Sequence, residues 1–167
     1  MQGREATIFD LEKVEGPAEI VGGRLVLMPM TGGLHGFSVL AIAMSLNGYG
    51  RRTKAGYAFA EQSFIVDLPN RRSFSPDVAF TTQGDLWGRF IKTSPIFAVE
   101  IRSHADYGRA AERAMAAKRA EYFAAGTLVV WDVDVLKERV VRVYRSSDPS
   151  TPTIYRRGEH AEAEPAL

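Results

Sequence analysis

The chain has 167 residues and no cysteine, and its 21 basic and 20 acidic residues give a formal net charge of +1. The lack of cysteine excludes disulfides and thiolate zinc sites and is typical of the reducing cytosol, and the length indicates one domain. No apolar run reaches the roughly 20 residues of a membrane-spanning helix and no signal peptide is visible, so we expect a cytoplasmic protein without membrane contact.

Apolar periodicity and turn residues predict a mixed α/β chain. Short apolar runs indicate strands, whereas apolar residues three or four positions apart indicate helices. In chain order, the predicted elements are a short helix at 8–14, strands at 18–21 and 24–28, a helix at 37–47, strands at 57–68, 74–82 and 96–102, a helix at 107–125, and strands at 127–133, 139–144 and 153–157. The connection 83–94 is polar and has room for a short helix. The segments 1–16 and 158–167 are expected to be peripheral, and the charged tail from residue 158 to be loose.

Turn and cap residues mark the ends of several elements. Gly22-Gly23 is a favoured two-residue turn and predicts a hairpin between the first two strands. Asn47-Gly48 predicts the end of the second helix, and Asp106 is a candidate N-cap of the third.

The segment 96–133 predicts the centre of the sheet. A strand, a helix and a strand in succession form a βαβ crossover, so the two strands are expected to be parallel. The apolar run at 96–102 indicates burial on both faces, and the last two strands are expected to be antiparallel at an edge. We therefore predict one α/β domain over residues 1–167, in which helices flank a mixed sheet and a β-hairpin precedes it.

Two of the apolar strands each carry one carboxylate. Asp77 follows Pro76 at the start of one strand, and Glu100 lies near the end of the next. A buried carboxylate is costly unless it is paired or binds a cation, so two such acids suggest a metal site. Hard cations such as Mg²⁺ bind carboxylates and carbonyls, and the Ile101 carbonyl beside Glu100 is a candidate third ligand.

Lys118 lies in the middle of the inward stripe of the third helix. Helical spacing places it on one face with Tyr107, Met115 and Tyr122. A lysine in such a stripe either extends to solvent or points at a buried negative group, and an inert ion pair remains an equal alternative.

An ordered set of residues gives a more specific indication. The runs Ser75-Pro76-Asp77-Val78-Ala79-Phe80 and Val99-Glu100-Ile101-Arg102-Ser103 resemble the P-D…(D/E)-x-K motif of restriction-endonuclease-like proteins. The chain as a whole resembles the Uma2 family of that superfamily. The further matching positions are Glu19 with Gly23, His35-Gly36, Glu61 with Phe64, Lys118, Tyr122, Gly126, Trp131 and Asp134.

This resemblance implies a restriction-endonuclease-like fold and the hydrolysis of DNA phosphodiester bonds. It implies Mg²⁺ or Mn²⁺ at Asp77 and Glu100, which suits a chemistry that needs an activated water and charge stabilisation. The motif's lysine is replaced by Arg102, which can hold phosphate but cannot act as a base. Lys118 is the candidate that takes over the lysine's electrostatic role.

Two further residues are candidates for the site, each with a plain alternative. Glu61 would be an additional acid near the metal or its water, or a surface residue of an alternating strand. His35 would contact substrate phosphate, or would be a structural loop histidine. For the whole chain, the alternative to an endonuclease is a nuclease-like domain that binds DNA or a protein partner without cutting. Cutting both strands of a duplex also predicts a homodimer.

Overall fold

The computed structural model describes residues 4–28, 31–82 and 87–167, and these contain three helices and ten strands. The helices are α1 (Ile8–Glu12), α2 (Gly33–Thr53) and α3 (Arg109–Ala124). The strands are β1 (Ala18–Val21), β2 (Arg24–Leu27), β3 (Tyr57–Ala60), β4 (Phe64–Leu68), β5 (Arg71–Phe74), β6 (Val78–Thr81), β7 (Phe97–Ile101), β8 (Val129–Asp134), β9 (Val140–Arg145) and β10 (Asp148–Arg156).

Six of the strands form a mixed central sheet in the order β10-β9-β8-β7-β6-β3. β7 and β8 are parallel and are connected by α3, as the predicted crossover requires, and the other neighbours are antiparallel. The last two strands lie at one edge, which confirms their predicted position. The α/β class with a mixed sheet and flanking helices is therefore confirmed.

The remaining strands form a smaller antiparallel sheet in the order β2-β1-β5-β4. Its first two strands are the predicted hairpin, with Val21 opposite Arg24 across the turn. Gly22 and Gly23 both have positive φ, 54° and 70°, which glycine adopts without steric cost. This small sheet packs beside the site described below and contributes residues to it.

Both faces of the central sheet are covered. On one face, Val78 and Val99 pack in a cluster with Val39 of α2. On the other face, Ala79 pairs with Ala98, and both pack in a second cluster with Tyr122 of α3. The centre of the sheet is thus buried between α2 and α3, and a polar side chain on the α3 face lies under that helix.

Both predicted ends of the second helix are wrong: α2 begins at Gly33 rather than at residue 37, so His35 lies in the helix and not in a loop. α2 continues past Asn47-Gly48 to Thr53 and ends where Lys54 takes a left-handed conformation, φ 59°. Tertiary packing outweighs the weak helix propensity of these two residues. Gly50 belongs to this packing, since a Cβ there would lie 2.6 Å from the Gly56 carbonyl oxygen.

Two predicted strands are each divided in two. The run 57–68 forms β3 in the central sheet and β4 in the small sheet, and the chain turns between them at Glu61, φ 52°. The run 74–82 begins with the last residue of β5 and continues in β6, and Ser75-Pro76-Asp77 connects the sheets. Both breaks lie at the junction of the two sheets, which periodicity within a single strand does not reveal.

Two smaller predictions also differ from the structure. Asp106 does not cap α3, because Gly108 is the N-cap residue of that helix. The Asp106 carboxylate instead accepts hydrogen bonds from the Ser103 N–H at 2.6 Å and from the Ser103 hydroxyl at 2.7 Å. The tail is not loose, because Ala166 is buried in the core and the indole of Trp131 donates a 3.0 Å hydrogen bond to the Glu162 carbonyl.

The connection 83–94 is described only in part. Residues 83–86 lie outside the described residues, and 87–94 form turns, bends and a bridge rather than a helix. Within residues 4–28, 31–82 and 87–167, no helix combines the length and apolar character needed to cross a bilayer.

Candidate active site

Two carboxylates face each other across the β6–β7 pair. These strands are antiparallel with Val78 opposite Val99, and one further step of this register places Asp77 opposite Glu100. Side chains alternate along a strand, and both valines point to the α2 face, so the two acids point to the α3 face. Their side chains are 20% and 23% exposed, respectively. The acids that were predicted from separate strands are therefore neighbours.

Asp77 is oriented by two contacts. Its Oδ2 accepts a 2.6 Å hydrogen bond from the Ile101 N–H, and its Oδ1 lies 3.3 Å from Nε2 of His35. The hydrogen bond to Asp77 raises the pKa of His35, and the charge of Glu61 adds to this effect, although burial opposes it. His35 is itself buried, at 4% exposure, so its contact in the structure is with the acid. Its contact with substrate phosphate stays a prediction.

Glu100 accepts hydrogen bonds from two residues of α3. Lys118 Nζ lies 2.9 Å from its Oε2, and the Tyr122 hydroxyl donates to its Oε1 at 2.6 Å. Burial raises the pKa of Glu100 to about 7, and the negative charges of Asp77 and Glu19 contribute, although Lys118 opposes the rise. The carboxyl therefore holds its proton more tightly than an ordinary glutamate does, and an added cation would favour the ionised form.

Lys118 is shared between two acids. Its Nζ lies 2.9 Å from Glu100 and also 2.9 Å from Oε1 of Glu19, which comes from the hairpin. Burial alone would lower the pKa of Lys118, but the two negative charges outweigh it and raise the pKa above its ordinary value. The ammonium group therefore stays charged. Of the two orientations that the helical stripe allowed, the structure has the one toward a buried negative group.

Glu19 is held in turn by its own partners. Arg71 donates to its carboxylate, and the Ser75 N–H donates to it at 2.9 Å. Arg71 also donates to Glu121 of α3 at 2.6 Å. Burial would raise the pKa of Glu19, but the charges of Lys118 and Arg71 outweigh burial and lower it. The small sheet thus supplies a fixed negative charge beside the lysine.

This arrangement was not predicted from the sequence. Glu19 and Tyr122 match the family pattern but had no predicted role, and neither had Arg71. One signal for Tyr122 was present, because it shares the inward face of α3 with Lys118. For Glu19 there was none, since an acid in a hairpin strand is ordinarily an exposed residue.

Glu61 lies at the edge of the site. It is exposed, its φ of 52° is unusual for a residue with a side chain, and its N–H donates a 3.0 Å hydrogen bond to the Asp77 carbonyl. Its position between β3 and β4, and not within a strand, places it near the two acids. Its role as a further acid stays a prediction.

Arg102 is engaged away from Glu100. Its guanidinium donates to both carboxylate oxygens of Asp132 at 2.7 Å and also bonds Glu112 of α3. Its side chain is 4% exposed, and the hydrogen bonds to Asp132 raise its pKa still further. Arg102 lines the pocket, but carboxylates of α3 and β8 hold its guanidinium, so its role toward a substrate phosphate stays a prediction.

One pocket of about 590 Å³ joins these residues. It is lined by every residue that the sequence predicted for the site, namely His35, Glu61, Asp77, Glu100, Ile101, Arg102 and Lys118. Glu19, Arg71 and Tyr122 line it as well. The pocket therefore combines a pair of acids with a charged lysine in a recess large enough for a small ligand or a nucleotide unit.

The donor set fits a hard divalent cation. Asp77, Glu100 and the Ile101 carbonyl offer oxygen ligands, which Mg²⁺ and Mn²⁺ prefer. Burial is the main cause of the raised pKa of Glu100, and the charges of Asp77 and Glu19, which add to it, are charges that such a cation would offset. In the described part of the chain, no group of three or more His, Asp or Glu side chains has a metal-binding arrangement.

The central mixed sheet, with its crossover helix over a pair of acids, has the architecture of the restriction-endonuclease-like nucleases. The crystal structure of a putative nuclease belonging to DUF820 from Anabaena variabilis ATCC 29413 is similar to this fold, with a TM-score of 0.74 at 19% sequence identity over 96% of this chain and 90% of that one. The chain belongs to the Uma2 family, described as "Putative restriction endonuclease", whose model matches residues 6–167. No match was found among curated proteins.

Proposed function

We propose that this protein is a metal-dependent endonuclease that hydrolyses phosphodiester bonds in DNA. The observation that carries the proposal is the pairing of Asp77 with Glu100 on adjacent strands, in a pocket that also receives the ammonium group of Lys118. Two acids that can hold a metal ion and a nearby positive charge are groups that metal-assisted phosphodiester hydrolysis uses. The cytosol, where DNA and Mg²⁺ occur together, is the compartment consistent with this activity.

In this proposal Asp77, Glu100 and the Ile101 carbonyl hold Mg²⁺ or Mn²⁺. The bound cation supplies a water of lowered pKa and neutralises charge on the phosphate. His35 keeps Asp77 oriented through its 3.3 Å contact. In this proposal Glu61, which lines the pocket, is a further acid that would accept a proton from the water.

Lys118 provides the positive charge that the motif's lysine provides elsewhere. It is held charged by Glu19, so it retains a counter-ion when Glu100 turns to the cation. A permanently charged ammonium group cannot be the base, and its role is to attract the phosphate and stabilise charge that develops on it. Arg102, whose donors are directed to Asp132 and Glu112, is a structural residue in this proposal.

The proposal is tested by measuring metal binding and DNA cleavage on the same set of variants. Wild type is expected to bind Mn²⁺ or Mg²⁺ in calorimetry and to nick plasmid DNA until EDTA is added. Asp77→Asn and Glu100→Gln are expected to lose the heat of binding and to lower nicking at least about 10²-fold. Asp67→Asn, an 86% exposed carboxylate of β4, is the matched control and should behave as wild type. Undiminished nicking by either site variant would contradict the proposal.

A second candidate function is DNA or protein binding without cleavage. The specific observation in its favour is that the cation at the motif's lysine position, Arg102, is sequestered by Asp132 and Glu112. Under this alternative, wild type binds neither Mg²⁺ nor Mn²⁺, and its affinity for labelled DNA is the same with Glu100→Gln. Metal-dependent nicking by wild type excludes it.

A further inference from the structure

The outer face of α2 is apolar and exposed. Leu34, Phe37, Leu40 and Met44 are 49%, 69%, 57% and 65% exposed, respectively. Ten large apolar side chains are exposed in the described part of the chain, and these four of them lie on one face of a single helix. They therefore form a concentrated patch. A patch on the order of 500 Å² is of the size that marks an interaction site on a monomer.

The spacing of this face is that of a helix with a partner. Leu34, Phe37, Ala41 and Met44 are separated by three, four and three residues, and all four are exposed. This alternation of three and four is the seam of paired helices. The opposite side of α2, including Val39 and Leu46, is buried against the central sheet. α2 therefore has one apolar face covered by its own domain and a second that is uncovered.

The composition of α2 limits what can cover this second face. From Gly33 to Gly50 the helix contains no Asp, Glu, Lys or Arg, and its single histidine, His35, is buried. A surface without charge offers nothing to the phosphates of a nucleic acid or to a charged peptide. It is suited to an identical surface, because a charged side chain near a two-fold axis would lie against the same charge of the other copy.

We propose that this face is the interface of a homodimer, in which the α2 helices of two copies pack antiparallel. With the two-fold axis at Val39, Phe37 of each copy lies against the small Ala41 of the other, and Leu34 lies against Met44. Each large side chain then meets a small or flexible one, as close packing of two helices requires. The exposed Leu40 flanks the seam. The interface is independent of the nuclease activity proposed above.

Association is measured first by sedimentation velocity over a wide concentration range. Wild type is expected to form a dimer. Ala41→Glu introduces two like charges and excess volume near the axis and is expected to be monomeric, with an unchanged circular dichroism spectrum. Ile154→Glu, at a 47% exposed apolar position of β10, is the matched control and should remain dimeric. A monomeric wild type, including one that binds lipid vesicles instead, or a dimeric Ala41→Glu would overturn the proposal.

The orientation of the helices is measured by pulsed EPR, which is direct because the chain has no cysteine of its own. Nitroxide labels are attached to Ser45→Cys and Arg52→Cys, two exposed positions of α2. Antiparallel pairing about Val39 separates the two labels along the helix axis by roughly 18 Å at position 45 and roughly 39 Å at position 52. Equal distances at the two positions indicate parallel helices and contradict the proposal.

Discussion

The ammonium group of Lys118 lies 2.9 Å from the carboxylate of Glu100, so the cation beside the acid pair comes from α3 rather than from β7. The arginine two residues after Glu100 is turned to Asp132 instead. In the structure α3 therefore supplies the positive charge beside the acid pair, and Arg102, the residue after β7, forms a buried ion pair with Asp132. Each of these assignments leads to a measurable difference.

Lys118→Met is expected to lower the free energy of unfolding by about 3–5 kcal/mol, because Glu19 and Glu100 both lose a buried counter-ion. Glu19→Gln in the same chain removes one of the two carboxylates that lost this partner, although Glu19 keeps Arg71, and is expected to restore part of the loss. Urea unfolding of the two single variants and the double variant measures this coupling. Additive losses would show that the lysine and Glu19 do not interact. Nicking by Lys118→Met should fall about 10²–10³-fold at a temperature where it is folded.

The stability contributed by Glu100 is expected to decrease as the pH rises. Burial raises the pKa of this carboxyl from its ordinary 4.5 to about 7, so the folded chain binds its proton more tightly than the unfolded chain. The contribution is complete below pH 4.5 and is lost between pH 4.5 and about 7. The difference in unfolding free energy between wild type and Glu100→Gln, measured in EDTA, should therefore fall across this window. A pH-independent difference would mean that the carboxyl titrates normally.

Arg102 is expected to act on stability and not on catalysis. Arg102→Met leaves the buried Asp132 without its partner and should cost about 3–5 kcal/mol, and Asp132→Asn in the same chain should recover part of this. Nicking, measured where both variants are folded, should stay within a few-fold of wild type. A large loss of nicking with little loss of stability would instead place Arg102 in contact with the substrate.

The sequence predicted the centre of the fold better than its connections. The crossover from β7 through α3 to β8 follows from apolar runs and a helical stripe that are local in the chain, and the structure has it. The breaks at Glu61 and at 75–77 arise where the chain passes between two sheets, and local patterns do not encode which sheet a strand joins. The same limit applies to α2, whose last turns are stabilised by packing at Gly50.

The candidate site shows the same contrast between contacts that could be predicted from the sequence and contacts that could not. Asp77 and Glu100 could be proposed as a pair from sequence because each lies in one of two successive apolar strands, and the structure makes these strands antiparallel neighbours. The destination of Arg102 could not be predicted, since the strand pattern placed its side chain on the face of Glu100 while its partners Asp132 and Glu112 come from other elements. The role of Glu19 could not be predicted either, because its contact with Lys118 depends on how the small sheet packs against α3.

Glu61 offers a test that separates backbone strain from chemistry. Its φ of 52° is costly for a residue with a side chain, so Glu61→Gly is expected to raise the free energy of unfolding by about 1 kcal/mol. Glu61→Gln keeps the side chain and should leave stability nearly unchanged. If the carboxylate acts in the pocket, both variants lower nicking by about 10²-fold, although their stabilities differ. Lys54→Gly is the matched control, because Lys54 has φ 59° at the exposed end of α2, and it should gain similar stability with full activity. Full activity in both Glu61 variants would mean that this residue serves only the turn between β3 and β4. The chemistry of the pocket would then depend on Asp77, Glu100 and Lys118.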